Sequence, residues 1–141
     1  MFNNSFIEKE KELARKAEMI GDTLLKSRAG YMLIDTYGIA LCQMGFVNDL
    51  WIVEDILDGH AECVFGDRIY GDLLHANGGV DPALGREVVR ILRDDRGEYV
   101  CPIADVRVQE YYRMKNAEVR RQRFITEQQL SNAKDLTIVK G

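Results

Sequence analysis

The sequence predicts an α+β fold with a long N-terminal helix, a small curled antiparallel sheet or SH3-like barrel of about 5–6 short strands, and a long C-terminal helix. The chain opens with apolar residues at helical spacing, continues with short apolar segments separated by Gly and Asp, and closes with a second helical segment. Its 141 residues, of which 46% are hydrophobic and 30% are charged, suit a single domain over 1–141. This composition excludes a wholly disordered chain.

The first helix is predicted over residues 5–28. Ser5 and Glu8 are spaced as in a capping box, in which a hydroxyl and a carboxylate each satisfy a free backbone N–H. One stripe of the helix is apolar and comprises Phe6, Leu13, Ala17, Ile20 and Leu24. The stripe fits two roles, packing on the domain's own sheet or pairing with a second copy. On the second role, we predict a homo-oligomer with these residues as its contact surface.

A β-rich core is predicted over residues 31–103. Residues 31–46 have the pattern of two apolar strands joined by a turn at Asp35-Thr36-Tyr37-Gly38. Residues 50–57 alternate in part, and Asp58-Gly59 is a turn signal before the apolar segment 61–65. Together these features predict a hairpin.

A further hairpin is predicted where residues 87–93 and 98–103 flank a turn at Asp94-Asp95-Arg96-Gly97. The pattern leaves helix and strand open for residues 83–92. Asp105 is a cap for a second long helix over 106–129, and a polar tail follows over 130–141. The core contacts expected from that helix are Val108, Tyr112, Val119 and Ile125.

Several classes of protein are excluded by the sequence. No apolar run approaches the ~20 residues that span a bilayer, so no membrane contact is predicted. The N-terminus lacks the basic start and apolar core of a secretory signal, and we expect a cytoplasmic protein. Cys42, Cys63 and Cys101 are too few and too scattered for a disulfide framework, so buried, reduced thiols are expected.

Charge is distributed unevenly along the chain. The net charge is −4, but residues 48–81 carry eight acids against one base. This asymmetry predicts an acidic surface that meets a basic protein partner. The residues assigned to it are Glu54, Asp55, Asp58, Glu62, Asp67 and Asp72.

The second helix is rich in basic and aromatic residues. Arginine binds phosphate groups well, and aromatic rings can stack on bases, so the alternative function is the binding of a nucleotide or nucleic acid. The residues assigned to such a site are Arg113, Arg120, Arg121, Arg123, Tyr111 and Tyr112. An acidic isoelectric point of about 5.2 argues against tight nonspecific DNA binding.

A second alternative is a zinc- or thiol-dependent enzyme. His60 and Cys63 are close in sequence, and His75 and Cys101 could complete a set of four N and S ligands. The chain has no Walker loop, no Gly-x-Gly-x-x-Gly and no Gly-x-Ser-x-Gly motif. Our main prediction is therefore a protein that is not an enzyme, needs no cofactor and has no metal site.

The predicted function is that of a small binding or regulatory protein that acts by protein–protein contacts as a homo-oligomer. In size, acidity and lack of a catalytic motif, the chain resembles the small inhibitors and regulators of phages and mobile elements. That resemblance is one of kind, and it implies regulation through contacts with a partner.

Overall fold

The computed structural model describes the backbone of residues 4–42, 45–70, 73–75, 77–84 and 88–141, and the side chains of 5–42, 45–64, 77–84 and 91–141. Its elements, in chain order, are α1 (Asn4–Met19), β1 (Thr23–Ser27), β2 (Gly30–Ile34), α2 (Leu50–Tyr70), β3 (Leu73–His75), β4 (Val88–Arg90), α3 (Val106–Asn132) and β5 (Thr137–Ile138). The predicted α+β class is confirmed.

The chain divides into two compact units. Unit 1 comprises residues 1–64 and 122–141, and unit 2 comprises residues 65–121. Helices α2 and α3 each contribute residues to both units.

Unit 1 contains a three-stranded antiparallel sheet in the order β2-β1-β5. The register pairs Leu24 with Leu33 and Leu25 with Ile138. The turn between β1 and β2 requires Gly30, whose φ is +126° and whose added Cβ would lie 2.5 Å from the Val47 carbonyl oxygen. Only glycine allows this conformation and this close approach of the two backbone segments.

The core of unit 1 joins residues of α1, the sheet and α2. Its fully buried side chains include Leu13 and Ala17 from α1, Leu24 from β1, and Val53 and Leu57 from α2. Burying an aliphatic side chain of this size stabilises a fold by about 1.5–3 kcal/mol. The core therefore holds α1 and α2 against the sheet.

The predicted first helix, 5–28, is too long. Helix α1 ends at Met19, and the chain enters β1 at Thr23. Gly21 has φ +83° and donates to Glu18 O at 3.2 Å, while Asp22 N–H donates to Ala17 O at 2.9 Å. This is the Schellman arrangement, which ends a helix at a left-handed glycine.

The predicted hairpin over 50–65 is wrong, because this segment belongs to α2. Asp49 caps the helix, since its Oδ1 accepts the Trp51 N–H at 2.8 Å. Leu50, Val53 and Leu57 are buried at a spacing of three and four residues, which is the helical period and not the alternation of a strand. Gly59 is an exposed helical residue and makes no turn.

Within the predicted 31–46 segment, the structure has one strand, β2. After β2, the Asp35 carboxylate accepts the N–H groups of Tyr37 and Ile39, and this turn returns the chain to a single bridge between Ile34 and Ala40. The predicted turn is present, but only one of the two strands forms. Residues 43–44 of that prediction lie outside the described part.

Unit 2 contains the antiparallel pair β3-β4 and the N-terminal part of α3. Gly97 has φ +82° in a turn that brings Arg93 and Tyr99 into one bridge, so the predicted turn is present with minimal strand pairing. Within 83–92, residues 88–90 are strand and 85–87 lie outside the described part. Among described residues, neither a barrel nor a sheet of 5–6 strands is found.

Helix α3 begins as predicted and continues three residues further. Asp105 Oδ1 accepts the Arg107 N–H at 2.9 Å, as expected of the cap. The predicted contacts Val108, Tyr112 and Val119 are buried. Ile125 is 37% exposed, and the next residue, Thr126, takes the buried position, donating its hydroxyl to Gln122 O.

Candidate functional site

A groove of about 650 Å³ opens in unit 1 between the first turns of α1 and α2. We call it the aromatic groove. It is lined by Ser5, Phe6, Lys9, Asn48, Asp49, Leu50 and Trp51. Trp51 is 69% exposed and Phe6 is 42% exposed, although side chains of this size are usually far more buried.

Lys9 lines the aromatic groove and contacts both Trp51 and Glu54. Its ammonium lies 5.0 Å from the centre of the Trp51 ring and forms an ion pair with Glu54. The hydrogen bond between the two side chains lowers the pKa of Glu54 and raises the pKa of Lys9, so both are charged at neutral pH. The charge of Lys9 is thereby balanced, and the Trp51 ring is held in place by a cation–π contact.

The outward side of α2 is acidic. Asp55, Asp58 and Glu62 follow Trp51 at positions i+4, i+7 and i+11, which lie on one helix face, and all three are exposed. We call these three residues the acidic stripe. Asp58 forms an ion pair with Lys16 at 4.0 Å and also interacts electrostatically with Lys9, whereas Asp55 and Glu62 form no ion pair within the described part. Asp55 and Glu62 therefore give the stripe negative charge that no ion pair of the described part compensates.

The predicted acidic surface is retained in part. Asp55, Asp58 and Glu62 share the outward face, but Glu54 is turned toward α1 and is paired with Lys9. Asp72 and the side chain of Asp67 lie outside the described residues. Trp51 was missed as a site residue because residues 50–57 were predicted to form a strand of a hairpin.

The predicted oligomer surface is mostly occupied by the fold itself. Leu13, Ala17 and Leu24 are buried in the core of unit 1, and Leu24 belongs to β1 and not to the helix. Ile20 packs against that core, and Phe6 lines the aromatic groove. Of the five residues, Phe6 alone keeps a large exposed surface, and oligomerisation stays a prediction.

Three of the four arginines of the predicted anion site contact carboxylates in unit 2. Arg113 pairs with Glu110, Arg121 with Glu118 at 2.6 Å, and Arg120 with Glu98 at 2.5 Å. Two of these pairs have i,i+3 spacing on one helix, which matches the helical repeat. Exposed pairs of this kind contribute about 0–1 kcal/mol each, but they neutralise the local positive charge.

The remaining residues of that predicted site are less available. The Tyr112 ring is buried, and its phenol pKa is raised by that burial. Tyr111 packs edge-on against Tyr112 with ring centres 5.8 Å apart. Because the Tyr112 ring is buried, stacking a base on it would require local unfolding.

Arg123, the fourth arginine of that predicted site, lies in unit 1. One of its guanidinium nitrogens is buried and has no hydrogen-bond partner among described residues.

Three residues of the predicted zinc or thiol site, His60, Cys63 and Cys101, have described side chains. Within the described part, no group of three or more His, Cys, Asp and Glu side chains is arranged to hold a metal ion. Cys63 is exposed, contrary to the expectation of buried thiols, and Cys101 Sγ lies 3.1 Å from Ile103 O. The His75 side chain lies outside the described residues.

His60 has a different role from the predicted one. Its Nδ1 lies 2.5 Å from Oδ2 of Asp22, a carboxylate that is only 3% exposed and whose Oδ1 has no partner among described residues. Burial raises the pKa of Asp22, and the hydrogen bond and charge of His60 oppose that rise. The pair connects α2 to the turn that ends α1.

We expect His60→Ala to lower the free energy of unfolding by about 1–3 kcal/mol, because it leaves a buried carboxylate unpaired. A carboxyl whose pKa is raised in the fold favours folding at low pH and loses that contribution as pH rises through its folded-state pKa. The loss should therefore be larger at about pH 7 than at about pH 4 in urea denaturation. Adding Asp22→Asn to the His60→Ala variant should restore part of the lost free energy of unfolding. Equal losses at about pH 7 and about pH 4 would contradict the pairing role of His60.

The sequence and the structure were compared with known protein families, curated proteins and solved structures. The chain matches no protein-family model, no curated protein and no solved structure. Among the described helices, none has the length and apolar character needed to cross a membrane.

Proposed function

We propose that the protein is a non-enzymatic binding protein that recognises a basic segment of another protein through α2. One observation carries the proposal: Trp51 is 69% exposed and stands where the aromatic groove meets the acidic stripe. An exposed aromatic ring beside a row of exposed carboxylates is the composition of a recognition surface.

The apolar part of the proposed contact is the aromatic groove. Its volume of about 650 Å³ is more than enough to admit a large apolar side chain of the partner between Phe6 and Trp51. The rings of Phe6 and Tyr31 lie 6.4 Å apart, so the Phe6 side of the groove is supported from within the fold. Contacts with rings held in this way supply most of the binding energy of many interfaces.

The charged part of the proposed contact is the acidic stripe. Asp55 and Glu62 lie one and three turns beyond Trp51, which is about 6 and 16 Å along the helix axis. Lys or Arg side chains at matching positions of a partner helix would pair with them. Such pairs guide association and select the partner more than they add affinity.

The anion-binding alternative has less support. Each of Arg113, Arg120 and Arg121 already contacts a carboxylate, and Tyr112 is buried. Arginines that are already paired with carboxylates attract phosphate weakly, so we place protein contact before anion binding.

Peptide titration tests the proposal. The first peptide is a 15-residue helix without Trp that carries one Phe and three Lys at i+4, i+7 and i+11 from it. The second has Glu for each Lys, and the third has Ala for Phe. The chain has a single Trp, so the fluorescence of Trp51 reports occupation of the groove directly.

We expect the first peptide to bind in the range of about 1–100 μM and to weaken as salt is raised, with little binding of the other two. Equal binding of the Lys and Glu peptides would contradict the charge part of the proposal. Equal binding of the Phe and Ala peptides would contradict the groove part, and no binding of any peptide would contradict both.

A further inference from the structure

The strand β5 forms one outer edge of the sheet in unit 1. It pairs with β1 on one side, where Leu25 faces Ile138 and Lys26 faces Thr137. On its other side, no strand of the described part is paired with it. The chain also runs beside β1 before β5 begins, since Arg28 N–H donates to Lys134 O at 2.9 Å.

The hydrogen-bonding groups of this edge have a defined direction. Val139 N–H donates to Leu24 O at 2.9 Å and therefore points toward β1. Successive residues of a strand direct their backbone groups to opposite sides, so Ile138 directs its N–H and C=O away from β1. Unpaired groups of this kind are the template on which another strand can add.

The side chains around the edge are apolar and basic. Ile138 is 59% exposed and Leu136 is 38% exposed. The exposed side chains of Lys134 and Lys140 flank them, and neither forms an ion pair within the described part. Arg28 and Asp135 neutralise each other at 2.8 Å, and Lys26, which faces Thr137, is paired with Glu10 at 2.7 Å.

We infer that the outer edge of β5 binds an extended acidic segment of a partner protein, which adds to the sheet as a further strand. The backbone of Ile138 provides the main-chain hydrogen bonds, and Leu136 and Ile138 provide apolar contact. Lys134 and Lys140 select acidic residues at the two ends of the segment.

A second copy of β5 is disfavoured by the same two lysines. Pairing β5 with itself around Ile138 would place Lys134 and Lys140 of both copies around one short strand pair. Lysines at sheet edges commonly block such self-association. This inference uses different elements and the opposite charge from the proposed function, so either can fail without the other.

Nuclear magnetic resonance with three synthetic peptides tests the inference. The first is a seven-residue peptide of alternating Val and Thr with Glu at both ends. The second has Lys at both ends, and the third is the Glu peptide with N-methyl groups on all of its backbone amides, which leaves no N–H on either edge to donate to a strand. We expect the Glu peptide to shift the Ile138 amide resonance and slow its hydrogen exchange at least tenfold. The other two should bind at least tenfold more weakly.

A pair of variants provides the control. Lys134→Glu with Lys140→Glu should reverse the preference in favour of the Lys peptide without changing the fold. Ile138→Pro removes the outward N–H but leaves the bond from Val139 to Leu24, and it should abolish binding of the Glu peptide.

Three outcomes would overturn the inference. They are equal binding of the N-methylated and unmodified Glu peptides, no binding of the Glu peptide, and slowed exchange at Ile138 that depends on protein concentration alone. The last would assign the edge to a second copy.

Discussion

Leu13→Ala should lower the free energy of unfolding by about 2–5 kcal/mol, the usual cost of truncating a fully buried leucine. Leu13 is 0% exposed and lies in the core that joins α1 to the sheet and to α2. The loss should be independent of protein concentration, since the contacts are within one chain. Urea denaturation at two protein concentrations measures both quantities.

The matched control is Ile7→Ala on the same helix, where the side chain is 42% exposed and the expected change is at most about 1 kcal/mol. A different outcome would support the assembly role predicted from the apolar stripe. In that case Leu13→Ala would leave the monomer's stability unchanged and would reduce the mass of an oligomer in native mass spectrometry.

Trp51→Ala should weaken binding of the Lys peptide at least 30-fold, which corresponds to about 2 kcal/mol for an aromatic residue at the centre of an interface. Stability should change little, because most of the ring is exposed. Since the variant has no Trp, the measurement uses the anisotropy of a fluorescent label on the peptide. Thermal unfolding monitored by circular dichroism verifies the fold.

Phe124→Ala is the matched control for Trp51→Ala. Phe124 is also an exposed aromatic residue, but it lies on α3 and does not line the aromatic groove. We expect this variant to bind the Lys peptide as the unmodified protein does. Comparable losses in the two variants would show that the peptide binds exposed aromatic surface without selecting the groove.

The sequence contains local signals for two features that were predicted wrongly, the end of α1 and the helix α2. Gly21 stands at the left-handed position of the Schellman motif, and a glycine there indicates the end of a helix before the β-branched Thr23. Asp49 precedes Leu50, Val53 and Leu57, which is a cap followed by apolar residues at helical spacing. The competing signal was Asp58-Gly59, a frequent turn dipeptide that here lies within α2.

The candidate site depends on contacts that local patterns do not encode. Lys9 and Glu54 are 45 residues apart, and Asp22 and His60 are 38 residues apart. Both contacts follow from the packing of α1 and α2 in one core. By contrast, Arg113–Glu110 and Arg121–Glu118 could be predicted, because i,i+3 neighbours on a helix are close. The negative charge of the acidic stripe could be predicted from the sequence. Its alignment with Trp51 could not, because that alignment depends on residues 50–65 being helical.

The most direct test of the proposed function is a reversal of charge on α2. Asp55→Lys with Glu62→Lys changes the two carboxylates that form no ion pair within the described part, and leaves Trp51 and the capped start of the helix intact. Asp95→Lys with Glu127→Lys makes the same change in net charge at exposed positions outside α2. Binding of the Lys and Glu peptides to each variant is then measured by Trp51 fluorescence.

We expect the α2 variant to bind the Glu peptide and lose the Lys peptide, while the control variant keeps the original preference. Unchanged binding of the Lys peptide by the α2 variant would contradict recognition of a basic partner through the acidic stripe.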